Sequence, residues 1–160
     1  MNKVFHNIDP LFAEDSSILI LGSFPSVRSR ETAFFYGHPY NRFWKVLAAV
    51  FDAAVPASIP EKKDLILRNQ LALWDVIASC EIEGSADSSI RNVEVNDLSR
   101  IIDHTGIERI ILNGRTAEKL FRRYLKTAYP LETVTLPSTS PANAACSLEQ
   151  LISAWKPYLR

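Results

Sequence analysis

"SILILGS", residues 17–23, decides the fold. Ile18 to Leu21 run without a polar break and end on Gly22 and Ser23. An amphipathic helix would space its apolar residues at about 3.6, and a half-buried strand would alternate them, so a short unbroken run reads as a strand covered on both faces. "ERIILNG" (108–114) has the same character, and "LALWDVI" (71–77) and "ETVTLPS" (132–138) complete a set of four. Helical patterns separate them. "NRFWKVLAAVF" (41–51) places apolar residues at 43, 44, 47, 50 and 51, one stripe of a helix. "EKKDLILRNQ" (61–70) follows Pro60, "VNDLSRIIDHT" (95–105) has Asn96 as its expected N-cap and Gly106 at its end, "RTAEKLFRRYLKTA" (115–128) is basic and amphipathic, and "SLEQLISAWKPYLR" (147–160) finishes the chain. Strands alternating with helices predict an α/β fold, a parallel sheet covered by helices with every strand's C-terminal end on one rim.

Length and composition set the outer bounds. A chain of 160 residues with 47% apolar and 10% aromatic side chains is expected to fold as one globular domain. Eighteen basic and eighteen acidic residues cancel, so any polyanionic partner must be met by a local patch. No run approaches the roughly 18 apolar residues of a membrane span. The polar start "MNKVFHNIDP" is unlike a leader, so the expected location is the cytoplasm. Cys80 and Cys146, far apart and without a CxxC pattern, are expected to be buried, inert thiols. The polar stretch "SCEIEGSADSSIRN" (79–92) reads as a long loop of the kind that often carries function.

Ligands of open α/β sheets bind beyond the carboxyl ends of the strands, and three unusual segments lie there. "GSFPS" (22–26) pairs a glycine that admits close backbone approach with a stiffening proline, although an ordinary turn has the same composition. "LPSTSPANA" (136–144) sets Ser140 before Pro141, the arrangement of an N-cap and N1 proline, which predicts a helix N-terminus suited to a phosphate or simply a well-capped helix. "FFYGHPYNRFW" (34–44) crowds six aromatic rings around one amide and one guanidinium. Phe43 and Trp44 fit the buried stripe of the helix that follows, which leaves the rings through Tyr40 as an expected pocket wall.

These segments, taken in order with "LWDVIASCEIEGSADSSI" (73–90), resemble the uracil-DNA glycosylase superfamily, and its hypoxanthine-DNA (deoxyinosine) glycosylase branch in particular. "HPYNRFW" (38–44) is also similar to the mismatch-specific uracil-DNA glycosylases. The resemblance is collinear from about residue 17 to the C-terminus. It implies a three-layer α/β/α sandwich around a short, mainly parallel four-stranded sheet, one such domain over residues 1–160, and a monomer that acts on damaged DNA without metal, cofactor or membrane. It implies a monofunctional enzyme that hydrolyses the N-glycosidic bond of deaminated bases. Two places depart from the family pattern: Phe24 stands where most branches carry Asp or Asn, and Leu136 where many carry His or Asn. Either the chemistry has moved to other residues or the chain is a binding module.

The resemblance also distributes roles. Tyr36, one residue before Gly37, is the ring expected to stack on an extruded base, with Phe35 in reserve and Phe24 and His38 completing the base-binding wall. Asn41 has the donor and acceptor to face the polar edge of hypoxanthine, to hold a water or to stabilise charge on the departing base, and it is equally a helix-capping residue. Asp75 ends the second strand, where it would steer water, stabilise a cationic sugar or cap a loop, and Asn113 ends the third, where it would orient the base or a loop. His38 is a candidate contact to a phosphate or the base, or a structural hydrogen bond. Ser23, Ser26, Arg42, Ser138, Thr139, Ser140 and Asn143 are the expected DNA contacts, with Arg28, Arg30 and Lys45 adding positive field. The basic run Arg115, Lys119, Arg122, Arg123 and Lys126 reads as a solvated helix face.

Overall fold

The two continuous Ile and Leu runs form the middle of a sheet in the computed structural model, which describes residues 2–159. Strands β2 (Ile18–Gly22), β3 (Leu71–Asp75), β6 (Arg109–Asn113) and β7 (Glu132–Leu136) are all parallel in the order β3-β2-β6-β7. Leu19, Ile20, Leu21, Ile110, Ile111 and Leu112 are completely buried, which is why neither central strand alternates. The register pairs Gly22 with Asp75 and Asn113 with Leu136, so all four C-terminal ends reach one rim. Helix α2 (Phe43–Val50) packs on α6 (Leu148–Leu159) and α3 (Ile59–Arg68), α3 packs on β3, and α5 (Arg115–Tyr124) packs on β6. This is the mixed α/β fold that the sequence predicts.

Each tryptophan donates its indole N–H from the core to a loop carbonyl. Trp44 reaches Phe35 at 3.2 Å, Trp74 reaches Ile8 at 3.1 Å and Trp155 reaches Pro137 at 3.0 Å. The helices that the sequence predicts at 41–51, 61–70, 115–128 and 147–160 are present with trimmed or shifted ends. Helix α3 starts before Pro60, because Ser58 caps it and Glu61 reaches back to Ser58 and Ala57. The five basic residues of the α5 region are exposed, as a solvated face requires.

Five local expectations are corrected. "LALWDVI" is two strands: β3 stops at Asp75 and β4 (Ile77–Glu81) enters a separate sheet. The stretch 79–92 is mostly ordered, with β4 running to Glu81, a 3₁₀ turn at Asp87–Ser89 and β5 (Arg91–Val95). With β1 (Lys3–Phe5), β4 and β5 make an antiparallel three-stranded sheet in the order β1-β4-β5. The helix expected over 95–105 shrinks to α4 (Ser99–Ile102), because Val95 belongs to β5 and Asn96 turns inward. No helix begins at Ser140. Helix α6 starts beyond Ser147, whose hydroxyl accepts from Gln150 N–H while the Gln150 side chain accepts from Ser147 N–H. Of the two thiols, Cys80 is fully buried and burial pushes its pKa up, whereas Cys146 is only half-buried.

Asn96 holds the joint between the sheets. Its Nδ2 donates to the carbonyls of Asp75 at 2.9 Å and Ile77 at 3.1 Å, and its backbone N–H donates to Val76 at 2.8 Å. Removing the amide takes a donor from each of two carbonyls beside a buried side chain, where a lost partner costs about 1–3 kcal/mol. Asn96→Ala is therefore expected to lower stability by about 2 kcal/mol or more in urea unfolding, well beyond the half kilocalorie or so of an ordinary surface change.

Candidate active site

The rim opens into a cleft of about 520 Å³ bordered by Gly22 to Ser26, Tyr36, His38, Asn41, Asp75, Asp87, Asn113 and Ser138 to Ala142. Its floor is set by one glycine. A Cβ at Gly22 would lie 2.5 Å from Asp75 Oδ1 and 3.3 Å from the Tyr36 hydroxyl, so any side chain there displaces the carboxylate. The other oxygen, Oδ2, accepts from His6 Nε2 at 2.8 Å, and the side chains of His6 and Asp75 are only 3% and 6% exposed. His6 Nδ1 accepts from Ile8 N–H at 3.2 Å, which places the proton of the neutral ring on Nε2 and makes His6 the donor to Asp75.

The aromatic segment divides differently from the sequence expectation. Phe34 is buried and stacks on Trp44, and Tyr40 is 74% exposed and away from the cleft, so neither is a pocket wall. Phe35 borders the cleft but is 2% exposed and packed edge-on against Phe34. Tyr36 is the ring presented to the cleft. One face lies 3.9 Å from Phe43, centroid to centroid and 19° from parallel. Its backbone sits in the left-handed region at φ 52°, a strained setting for a ring-bearing residue, pinned by Ser29 Oγ accepting from Gly37 N–H at 2.8 Å. Burial, reinforced by the negative charge of Asp75, holds the phenol far above its ordinary pKa, so it stays neutral. Asn113 is near enough to oppose that shift, yet no hydrogen bond of good geometry reaches the buried hydroxyl from any described residue.

Asn41 is neither wholly cap nor wholly free. Its Oδ1 accepts from Phe43 N–H at 2.9 Å, which fixes the amide plane at the entrance to α2, and its Nδ2 donors remain for the cleft. His38 spends Nδ1 on Tyr40 N–H at 3.1 Å, the structural bond anticipated, while its ring still borders the cleft. Phe24, standing where the family pattern has a polar group, lies under the Arg30 guanidinium at 5.5 Å and edge-on to His6 at 6.2 Å. Leu136 is buried at the end of β7.

The last loop is built around one cation. Arg42 donates to the carbonyls of Cys146, Ser140 at 3.3 Å and Asn143 at 2.9 Å. Carbonyls that converge sideways on a guanidinium cannot point along a helix axis, which explains the missing helix at Ser140. Arg42 is thus a strap inside the protein, and Arg30, bonded to the Gly84 carbonyl at 2.7 Å, is another. Arg28 and Lys45 remain exposed. Asn143 is spent on the Ser138 carbonyl at 3.0 Å. Thr139 is completely buried and exchanges two hydrogen bonds of 3.0 Å with Asn113, so its hydroxyl does not face a phosphate. Ser138 and Ser140 border the cleft with hydroxyls that accept from Ser140 N–H and Ala142 N–H and keep their own protons to give. Gly114 lets Ser138 approach, since a Cβ there would lie 2.9 Å from Ser138 Cβ. Across the cleft, Ser26 caps α1 (Val27–Thr32) and donates to Ser29, and Ser23 donates to Asp87 at 3.3 Å.

Sequence reasoning missed three of these groups: His6, Ser29 and Asp87. Asp87 lies on the opposite wall, exposed overall, with its carboxyl pKa raised by partial burial first and by Asp75, against hydrogen bonds from Ser23 and Thr116.

A family model described as the uracil DNA glycosylase superfamily matches residues 10–157. Two curated relatives, each named hypoxanthine DNA glycosylase, come from Methanosarcina barkeri, at 32% identity over 91% of this chain and 92% of that one, and from Methanosarcina acetivorans, at 36% identity over 92% of both. A solution NMR structure from Methanosarcina acetivorans, described as a candidate uracil DNA glycosylase, superposes with a TM-score of 0.82 at 32% identity, covering 96% of this chain and 94% of that one. With the family model and both relatives spanning nearly its whole length, the chain belongs to the uracil DNA glycosylase superfamily.

Proposed function

We propose that this protein is a monofunctional DNA glycosylase that hydrolyses the N-glycosidic bond of deoxyinosine and releases hypoxanthine, the first step of base excision repair. The observation that carries the reading is the Asn41 amide, whose acceptor is committed to Phe43 N–H and whose donors are left to the cleft. The names of the two relatives support hypoxanthine as the base. Among the described residues no lysine borders the cleft, which suits direct attack by water and offers no amine for a Schiff base.

In the reaction, a bond forms from water oxygen to C1′ as the C1′–N9 bond breaks, and the bonding pair leaves with the base. The sugar passes through an oxocarbenium-like state while negative charge grows on the purine. Asn41 Nδ2 donates to that growing charge, and a preorganised donor of this kind is worth roughly 10²–10³ in rate. Tyr36, backed by Phe43, gives the extruded base a face to stack on. Asp75 Oδ1 takes the surplus proton of the attacking water and offsets the sugar's positive charge before releasing the proton to solvent. Asn113 acts by fixing Thr139 and the last loop. Ser138 and Ser140, whose hydroxyl protons are uncommitted, grip phosphates from one side of the cleft.

The test is base excision on duplexes that carry deoxyinosine, deoxyuridine or deoxyxanthosine, followed by alkali to reveal abasic sites. Strand breaks with deoxyinosine are expected; no break with any duplex would overturn the reading in favour of a binding module. Asn41→Ala is expected to lose at least about tenfold in single-turnover rate while remaining folded. Two further variants separate clamp from strut. Ser138→Ala with Ser140→Ala should weaken binding to undamaged duplex several-fold with little change in stability. Thr139→Val should leave that binding intact and lower unfolding stability by about 1–2 kcal/mol, the cost of stranding the Asn113 amide.

A further inference from the structure

We propose that His6 is a positioning residue for the hydrolysis: it holds Asp75 by Oδ2 so that Oδ1 is turned to the reacting sugar and its water. The inference rests on the glycosylase reading above and extends it to a residue of the N-terminal arm that no cleft motif contains.

Four observations converge on it. First, the pairing is directional. Ile8 N–H occupies Nδ1, so the Nε2 proton is committed to Asp75 and the imidazole serves as a neutral donor. Second, the ring is caged. Phe24 meets it edge-on at 6.2 Å and 76°, and Trp74 at 6.1 Å and 85°, so a turn of the imidazole out of line would break packing on both sides. The arm itself is tied down by β1 against β4, by His6 N–H to the Ala78 carbonyl at 2.7 Å and by Trp74 to the Ile8 carbonyl. Third, a carboxylate this deeply buried is costly to leave unpaired, yet His6 satisfies only one of its oxygens. No described residue donates to Oδ1, which borders the cleft beside Gly22. Fourth, the Tyr36 hydroxyl is buried without a hydrogen-bond partner and lies against the same glycine. A carboxylate oxygen free to accept a proton and a phenol that Asp75 helps to keep neutral thus lie against the same glycine at the cleft floor.

The step balances simply. The water oxygen bonds to C1′, the C1′–N9 pair departs with the base, and the water proton passes to Oδ1, while the Nε2 proton stays on His6 throughout. His6 touches no reacting atom, and its effect is the orientation and charge of Asp75.

Two amide variants test this. His6→Gln carries an N–H at about the reach of Nε2, whereas the side chain of His6→Asn is too short to meet Oδ2. The parent and both variants are assayed for single-turnover excision of hypoxanthine at saturating enzyme, for half-saturation, and for affinity to duplexes holding either a cationic pyrrolidine or a neutral tetrahydrofuran in place of the deoxynucleoside. The parent is expected to prefer the cationic analogue. His6→Asn should lose at least about tenfold in saturated rate with half-saturation nearly unchanged, and should lose most of the cationic preference, while His6→Gln keeps most of both. Equal behaviour of the two variants, or a cationic preference unaffected in His6→Asn, would overturn the proposal even if hypoxanthine is released. A parent that releases no base but shows a cationic preference lost in His6→Asn and kept in His6→Gln would sink the glycosylase reading and leave the role of His6 standing.

Discussion

The hydrogen bond between His6 and Asp75 joins the two sheets of the molecule at the point where the cleft opens. Asp75 ends a strand of the parallel sheet, and His6 follows β1 of the antiparallel one. Each depends on the other's setting. The carboxylate reaches the floor only because Gly22 has no side chain, and it tolerates burial only because an N–H is delivered to it. That delivery requires β1 to be anchored on β4, which in turn requires the chain to leave the main sheet after Asp75. Asn96 supports this exit by donating to the carbonyls of Asp75 and Ile77 on either side of the break.

The three indoles show how a rigid core shapes a cleft made of loops. Loops lack ladder hydrogen bonds and tend to be mobile, so a site built on them needs external anchors. Trp44 fixes the carbonyl just before Tyr36, Trp74 fixes the arm that carries His6, and Trp155 fixes the carbonyl just before Ser138. In each case a large apolar body buried in the core carries one polar donor outward to the loop. Arg42 works in the opposite sense, reaching from the start of α2 to gather three carbonyls of the last loop. A side chain with a fork of five donors suits that task, and it commits much of Arg42 to the protein's own backbone.

What the sequence made legible follows from the range of the interactions involved. The parallel sheet was readable because its central strands carry a local signature, continuous Ile and Leu in "SILILGS" and "ERIILNG". Of "FFYGHPYNRFW", Tyr36 and Asn41 border the cleft and Phe43 and Trp44 are buried where the sequence puts them, whereas Phe34 and Tyr40 lie away from the cleft, since neighbouring rings on an irregular turn have no period to sort them. The antiparallel sheet was hidden because its strands are three to five residues long and β5 is largely exposed. Ser140 and Pro141 have sound local chemistry for a helix start, but Arg42, 98 positions away, overrides it. A better signal lay just beyond: Ser147 and Gln150 form a capping box that could have been read directly. The pairing of His6 with Asp75 spans 69 positions and leaves no local pattern at all.

The electrostatics of the cleft run against the simplest picture of a DNA-binding protein. The net charge is zero, Arg30 and Arg42 are tied to backbone carbonyls, no arginine or lysine is among the described residues that line the cavity, and two aspartates border it. For a surface that only grips a duplex this would be a poor arrangement, because affinity for the polyanion comes largely from cations. For a site that must favour a positively charged sugar, it is apt. A carboxylate held near C1′ stabilises the cationic state selectively, whereas a lysine there would oppose it. In the reaction proposed above, phosphates are best met by neutral donors, and the hydroxyl protons of Ser138 and Ser140 at the rim would serve without placing positive charge beside the reacting carbon. The same logic suits Asn41. In that reaction a neutral amide would stabilise the departing base without the charge of a lysine, so that the groups facing the base and those facing the sugar would not cancel one another.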